Sequence, residues 1–288
     1  MKSVQDKVII VAGATGGIGS ATAERLARKG ATVVIAGRSK NLLDNLHNEI
    51  RSWNPNCASF CADLNLYRSW SELIGFAQQR FGKLDGLVHC IGNLSPKDLA
   101  DMNEEEISYQ LSSNFTSVVF AAKAVLQPML RSKTGHIIVV GSIGGIVPMP
   151  HLSLYSATKH AVRGFCFSLH EELKSSGINV SVVSPGPVRT KMLDQEALCD
   201  AADISFIGNP LSPHDVAENV LRLLLHPRRE VIVPRMIGTL SILSNFIPAL
   251  FSPLYRHLRP LGYRRRLAYT QQPAPPTSHP ENCHVYTH

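Results

Sequence analysis

Six short runs of β-branched apolar residues, at 8–11, 32–35, 84–89, 136–140, 179–183 and 230–233, punctuate this chain at regular intervals. Between them lie segments with helical periodicity, at about residues 17–29, 40–52, 67–81, 104–130, 152–175 and 213–226. The short runs are apolar almost throughout instead of alternating with polar residues, which is the pattern of strands covered on both faces. A βαβα rhythm with such strands folds as a doubly wound parallel sheet, so the expected class is α/β. A chain of 288 residues can build one such domain without dividing. We therefore expect one domain over residues 1–235, an apolar and Arg-rich extension over 236–268, and a disordered tail over 269–288, where Gln-Gln-Pro-Ala-Pro-Pro-Thr-Ser-His-Pro offers nothing to a core.

Helix ends support this division. Gly30 and Gly177 follow helical runs as C-cap glycines, and Ser212-Pro213 opens another with an N-cap hydroxyl and a first-turn proline. The six cysteines form no CxxC pair, so no metal site is expected and free thiols are. Cys57 and Cys61 fall in or beside a further buried strand. The first strand begins at Lys7, which leaves no room for a leader, and the expected compartment is cytoplasmic.

The formal net charge of +7 is carried at one end: from Arg222 onward there are nine Arg, no Lys and two Glu, while residues 1–221 are neutral overall. A nucleic-acid binder spreads positive charge over its folded body, so nucleic acid is not an expected partner. The apolar stretch 236–254 contains Pro248 and Pro253 and does not read as a continuous membrane-spanning helix. Together with Arg256, Arg259 and Arg264–Arg266 it is compatible with lying on an anionic membrane surface. The rival, which we rate higher, is a C-terminal lid or dimer element.

Directly after the first strand stands Gly13-Ala14-Thr15-Gly16-Gly17-Ile18-Gly19, followed by small residues that open a helix. Glycines here let the backbone turn sharply and approach a pyrophosphate, which would sit against the unpaired N–H groups of the helix N-terminus. The second strand ends in Gly37-Arg38-Ser39, where a protein preferring NAD would offer a carboxylate to the ribose. The guanidinium of Arg38 instead matches a 2′-phosphate and Ser39 adds a donor, so NADP(H) is expected. Asp63-Leu64, after the third strand, is placed to reach the adenine edge, or Asp63 simply caps a turn.

Ser142 follows the fifth run, and Tyr155-Ser156-Ala157-Thr158-Lys159 opens the next helix, placing Tyr155 and Lys159 at i and i+4 on one face. A nearby ammonium favours the phenolate, so Tyr155 is expected to have a lowered pKa. The order of these motifs over residues 6–233 resembles the short-chain dehydrogenase/reductase family, whose domain is a Rossmann fold. That resemblance implies Tyr155 as general acid/base, Lys159 as the group that lowers its pKa and holds the nicotinamide ribose, and Ser142 as the group orienting the substrate oxygen. It implies Asn114 as the helix-kinking anchor of a proton-relay water. Pro185, Gly186, Val188 and Thr190 resemble the nicotinamide-side turn, and a homo-oligomer is implied as well. Two departures stand out: Ala12 replaces the usual Thr, and in His89-Cys90-Ile91-Gly92 only Gly92 is retained of the motif bordering the adenosine ribose. The expected activity is hydride transfer between NADP(H) and a carbonyl or alcohol. Residues 191–211, rich in Met, Leu, Ile and Phe, point to a lipophilic substrate or to a loop that packs itself down, with Met149 and His151 at the edge of the pocket. A non-catalytic NADP(H)-binding sensor or scaffold is the alternative.

Overall fold

The computed structural model describes residues 3–246 and 248–271. Its centre is a seven-stranded, all-parallel sheet in the order β3-β2-β1-β4-β5-β6-β7. The strands are β1 (Val8–Ala12), β2 (Thr32–Gly37), β3 (Cys57–Cys61), β4 (Gly86–His89), β5 (Gly135–Val140), β6 (Ile178–Pro185) and β7 (Glu230–Val233). Every residue of β1, β2, β4 and β5 is buried, as the apolar runs require.

Successive side chains on a strand serve opposite layers. Ile9, Val11, Val33 and Ile35 pack against α1 (Gly17–Arg28), α2 (Lys40–Arg51) and α8 (Pro213–Leu225). Ile10, Val34, Leu87 and Ile137 face the other way, against α3 (Tyr67–Phe81), α5 (Ser117–Ser132) and α6 (Ser153–Glu172). Gly30 and Gly177 take φ of 80° and 81°. Ser212 caps α8 reciprocally with Asp215.

The long helix expected over 104–130 is not continuous. It is α4 (Glu104–Leu111), a π-helical turn over Ser112–Thr116, and then α5. The π turn surrounds Asn114, whose buried amide is drawn off the helix by bonds to a neighbouring loop, and such insertions into the ladder kink a helix.

Beyond β7 the extension forms α9 (Arg235–Phe246) and α10 (Pro248–Thr270), so helix continues into the stretch expected to be disordered. Residues 272–288 lie outside the described residues. The extension returns to the segment between β6 and α8, which forms α7 (Lys191–Ala197) and a 3-10 stretch over Asp200–Phe206. The return rests on a buried ion pair: Arg266 Nε donates to Asp203 Oδ1 at 3.0 Å, and the two side chains are only 5% and 3% exposed. Arg259 adds a bond to Asp203 Oδ2 at 3.3 Å, and Arg266 Nη1 donates to the Ala197 carbonyl at 3.0 Å. Tyr269 donates to Asp194 at 2.7 Å. Several arginines expected to form a free basic face are therefore turned into the loop. Among the described residues no helix is long and apolar enough to cross a membrane.

Removing one member of a buried pair strands the other, at a cost of about 3–5 kcal/mol. In Arg266→Ala, hydrogen exchange in α10 and in residues 200–206 should rise by two orders of magnitude or more, while β1 and β5 keep their protection. Unchanged exchange in α10 would show that this pair does not hold the extension down.

Candidate active site

Four loops and one helix converge at the carboxyl ends of β1, β4, β5 and β6. The turn after β1 is tight: Gly13 has φ of 76°, and a Cβ there would lie 2.9 Å from the backbone of both Cys90 and Ile91. A Cβ at Gly19 would meet the Gly13 carbonyl, so both positions require glycine. Gly16 is the N-cap of α1 and no side chain caps that end; its first turn holds no acidic residue. The leading N–H groups are thus left to an anion, with Thr15, Gly17 and Ile18 around them. Thr190 closes the far side, its methyl 2.8 Å from where a Gly17 Cβ would stand.

The chemistry-bearing side chains face one cavity of about 340 Å³. Ser142, Tyr155, Lys159, Gly92 and the turn Pro185–Val188 with Thr190 all border it, as does Ile18. Ser142, at the end of β5, accepts the Gly144 N–H at 3.0 Å through Oγ. Lys159 Nζ donates to the Val140 carbonyl at 3.3 Å and lies 5.7 Å from the centre of the Tyr155 ring. Asn114 stands just behind: its Oδ1 accepts the Asn93 N–H at 2.6 Å, and its Nδ2 donates to the Asn93 carbonyl at 2.9 Å and to Thr158 Oγ1 at 3.1 Å. Gly92 sits beside both groups: a Cβ there would lie 3.5 Å from Lys159 Nζ and 3.7 Å from Asn114 Oδ1, at ordinary contact distance.

The electrostatics differ from expectation. Burial pushes the Tyr155 phenol up to about 12, against a hydrogen bond with Ser142 that lowers it and the charge of Glu196 that raises it further. Burial also pulls Lys159 down to about 8. The loss of water around the phenol is the largest influence on it, ahead of the Ser142 hydrogen bond, so the lowered Tyr155 pKa expected from an i, i+4 pair is not found.

Arg38, Ser39, Asp63 and Leu64 are not part of this cavity. Arg38 is exposed at the end of β2, its guanidinium bonded to the Tyr109 hydroxyl and 5.7 Å from the centre of that ring; Ser39 is the N-cap of α2. Asp63 accepts the Asn65 N–H at 3.0 Å and so caps a turn, while Leu64 is buried and its carbonyl receives the Trp70 indole N–H at 2.8 Å. His89, part of the stretch in which only Gly92 matches the resembled motif, is fully buried and stacked on Trp70 with ring centres 5.7 Å apart. The Ser117 hydroxyl donates to the Ser113 carbonyl at 2.6 Å, so His89 Nε2 is the donor in its 3.0 Å bond to Ser117. His89 thereby ties the end of β4 to α5. Burial lowers its pKa to about 3, with the Lys159 charge adding to the effect, and the ring stays neutral.

Residues 7–198 match the family model described as short chain dehydrogenase. The chain belongs to the short-chain dehydrogenase family. It is accordingly an oxidoreductase by family, and its curated relatives agree. An uncharacterised oxidoreductase of Staphylococcus aureus is 34% identical over 228 residues, spanning 79% of this chain and 95% of that protein. Dehydrogenase/reductase SDR family member 7B of Xenopus tropicalis is 27% identical over 259 residues, spanning 86% of this chain and 84% of that one. Among solved structures, a variant of actinorhodin polyketide ketoreductase with NADPH superposes with a TM-score of 0.73 at 28% identity, over 81% of this chain and 97% of that one. ElxO with NADP bound has the same fold at 24% identity, with a TM-score of 0.72 over 80% of this chain and 97% of that one.

In this short-chain dehydrogenase the site also contains groups that sequence reasoning passed over. Leu240 and Ser241 of α9 and Leu258 of α10 border the cavity, so the extension contributes to its wall. Glu196 of α7 borders it too, only 8% exposed and receiving a hydrogen bond from Ser205. Sequence marks Glu196 as one carboxylate in an apolar loop, but its burial depends on α10 covering that loop. Burial raises the Glu196 carboxyl to about 7. An acid whose folded pKa lies above its unfolded value costs stability increasingly as pH rises from about 4.5 to about 7, and fully above that. Glu196→Gln should therefore raise the melting temperature more near pH 8 than near pH 5. Equal shifts at both pH values in thermal melts would contradict the assignment.

Proposed function

We propose that the protein is an NADP(H)-dependent reductase of lipophilic ketones or aldehydes, able to run in reverse as an alcohol dehydrogenase. The observation that carries this reading is the convergence of the Tyr155 hydroxyl, the Ser142 hydroxyl and the Lys159 ammonium on one mainly apolar cavity beside the Gly92 and Pro185–Thr190 turns.

The residues fit a dinucleotide. The glycine turn and uncapped α1 would hold its pyrophosphate, Arg38 and Ser39 its 2′-phosphate, Asp63 and Leu64 the adenine side, Lys159 the nicotinamide ribose, and Val188 and Thr190 the carboxamide. The solved relative at 28% identity was crystallised with NADPH, which supports the same choice. When bound, the cofactor supplies the hydride.

The remaining work belongs to the chain. Ser142 Oγ already accepts from Gly144, so its hydrogen is available to the substrate oxygen and to Tyr155. Tyr155, raised to about 12, is a neutral phenol at physiological pH and is suited to give its proton to the alkoxide that develops on reduction. Lys159 keeps a positive charge next to that proton below about pH 8. Asn114 fixes Asn93 and Thr158 around the ammonium and retains a lone pair on Oδ1 to anchor a relay water. Val147, Leu152, Met192 and Leu193 exclude water and favour an apolar substrate body.

NADPH consumption with a panel of hydrophobic ketones and aldehydes tests the reading. Tyr155→Phe should lower kcat by about 10²–10⁴-fold with NADPH binding kept; binding without turnover of any compound by the unmodified protein would favour the sensor alternative. Reductive kcat/KM should be flat below about pH 8 and fall as pH rises through it, because Lys159 loses its charge there. A profile that rises with pH would be incompatible with that role. A charge-assisted bond to the 2′-phosphate is worth about 1.5–3 kcal/mol, so Arg38→Asp should cut the kcat/KM preference for NADPH over NADH by at least tenfold. An unchanged preference would remove Arg38 from cofactor selection.

A further inference from the structure

The substrate cavity holds a second polar pole, distinct from the Ser142–Tyr155–Lys159 group. Glu196 of α7 is only 8% exposed and borders the cavity together with Leu193, Ile204 and Ser205. A buried carboxyl normally has both oxygens satisfied. Here Oε1 receives the Ser205 hydroxyl, and Oε2 has no hydrogen-bond partner among the described residues. Nor is Oε2 sealed away: the enclosed side-chain atoms lacking a partner belong to His89, Gln110 and His136. Glu196 and Ser205 both border the cavity, so the free oxygen opens into it. Glu196 is also near enough for its charge to bear on Tyr155, which places it within the same site as the reacting carbonyl.

We propose that Glu196, positioned by Ser205, is a specificity-determining residue that accepts a hydrogen bond from a hydroxyl group on the substrate, remote from its carbonyl. The inference rests on the reductase reading for what sits at Tyr155. A carboxyl accepts from a hydroxyl whether ionised or protonated, since the protonated form keeps a carbonyl oxygen. An ammonium on the substrate fits less well, because Lys159 already places positive charge in the cavity. The favoured substrate is thus an apolar body with a carbonyl at one end and a hydroxyl at the other. Truncation of a site built to bind a hydroxyl leaves its buried acceptor unpaired, so discrimination should be large.

The test uses the full chain with NADPH and matched pairs of ketones, of graded length, that carry either a remote hydroxyl or a methyl group in its place. The unmodified protein should favour the hydroxylated member in kcat/KM by tenfold or more. Glu196→Leu should abolish that preference and Glu196→Gln, which retains an acceptor, should keep most of it. Ser205→Ala should weaken it by loosening the carboxyl. The corresponding diols and mono-alcohols are titrated in parallel by calorimetry with NADPH present, a combination that cannot react and so reads binding without turnover. If no ketone is reduced, the reductase reading fails while the diol preference still decides the role of Glu196. Equal affinity and turnover for the hydroxyl and methyl members, a preference that survives Glu196→Leu, or stronger selection for amine-bearing ketones would overturn the proposal.

Discussion

The reversal of strand order beside β1 governs the rest of this molecule. The chain lays β2 and β3 on one side of β1, then crosses back to place β4 on the other. The connections leaving β1 and β4 therefore diverge at their carboxyl ends and open a crevice that no strand fills. Gly13 is pressed so closely on Cys90 and Ile91 that the two connections are effectively one wall. Parallel pairing then repeats this polarity across the sheet, so that β5 delivers Ser142 and β6 delivers Pro185–Thr190 to the same edge. Tyr155, Lys159 and Asn114 come instead from helical segments packed on that edge.

Burial at that edge sets the character of the chemistry. Taking Lys159 from its ordinary range to about 8 corresponds to roughly 3 kcal/mol of bias against its charge, at about 1.4 kcal/mol per unit. Tyr155 is biased the same way, toward the neutral phenol. Desolvation is thus the largest influence on both groups, which leaves a neutral phenol beside a weakly held cation. In the proposed reduction such a pair would stabilise negative charge developing on a substrate oxygen.

The helical and strand rhythm was readable because it follows from local periodicity, and β1, β5 and α8 lie within a residue or two of where the apolar pattern puts them. The glycine turn and the Tyr155–Lys159 pair were readable for a similar reason: each is a short-range spacing with a steric or geometric meaning. What could not be read is what depends on distant segments meeting. The π turn at Asn114 exists because Asn93 and Thr158 take its amide. The direction of the Tyr155 shift depends on walls drawn from six or more separate elements. Asp63 had two local readings, and only the position of Asn65 shows that it caps a turn. Glu196 was one acid in an apolar loop until α10 covered it.

The charge asymmetry has a similar resolution. Nine arginines from residue 222 onward looked like a surface for an anionic partner. Of those in α10, Arg266 is buried against Asp203, Arg259 bonds the same carboxylate, and Arg265 bonds the Ile207 carbonyl. The partner that α10 has found is the chain's own segment between β6 and α8, whose Asp203 is only 3% exposed and pairs with Arg266. The pairing also explains why Leu240, Ser241 and Leu258 reach the cavity. A loop clamped from outside by arginines presents its inner face, including Glu196 and Ser205, in one arrangement, and such preorganisation is what would let the proposed site distinguish one substrate from another.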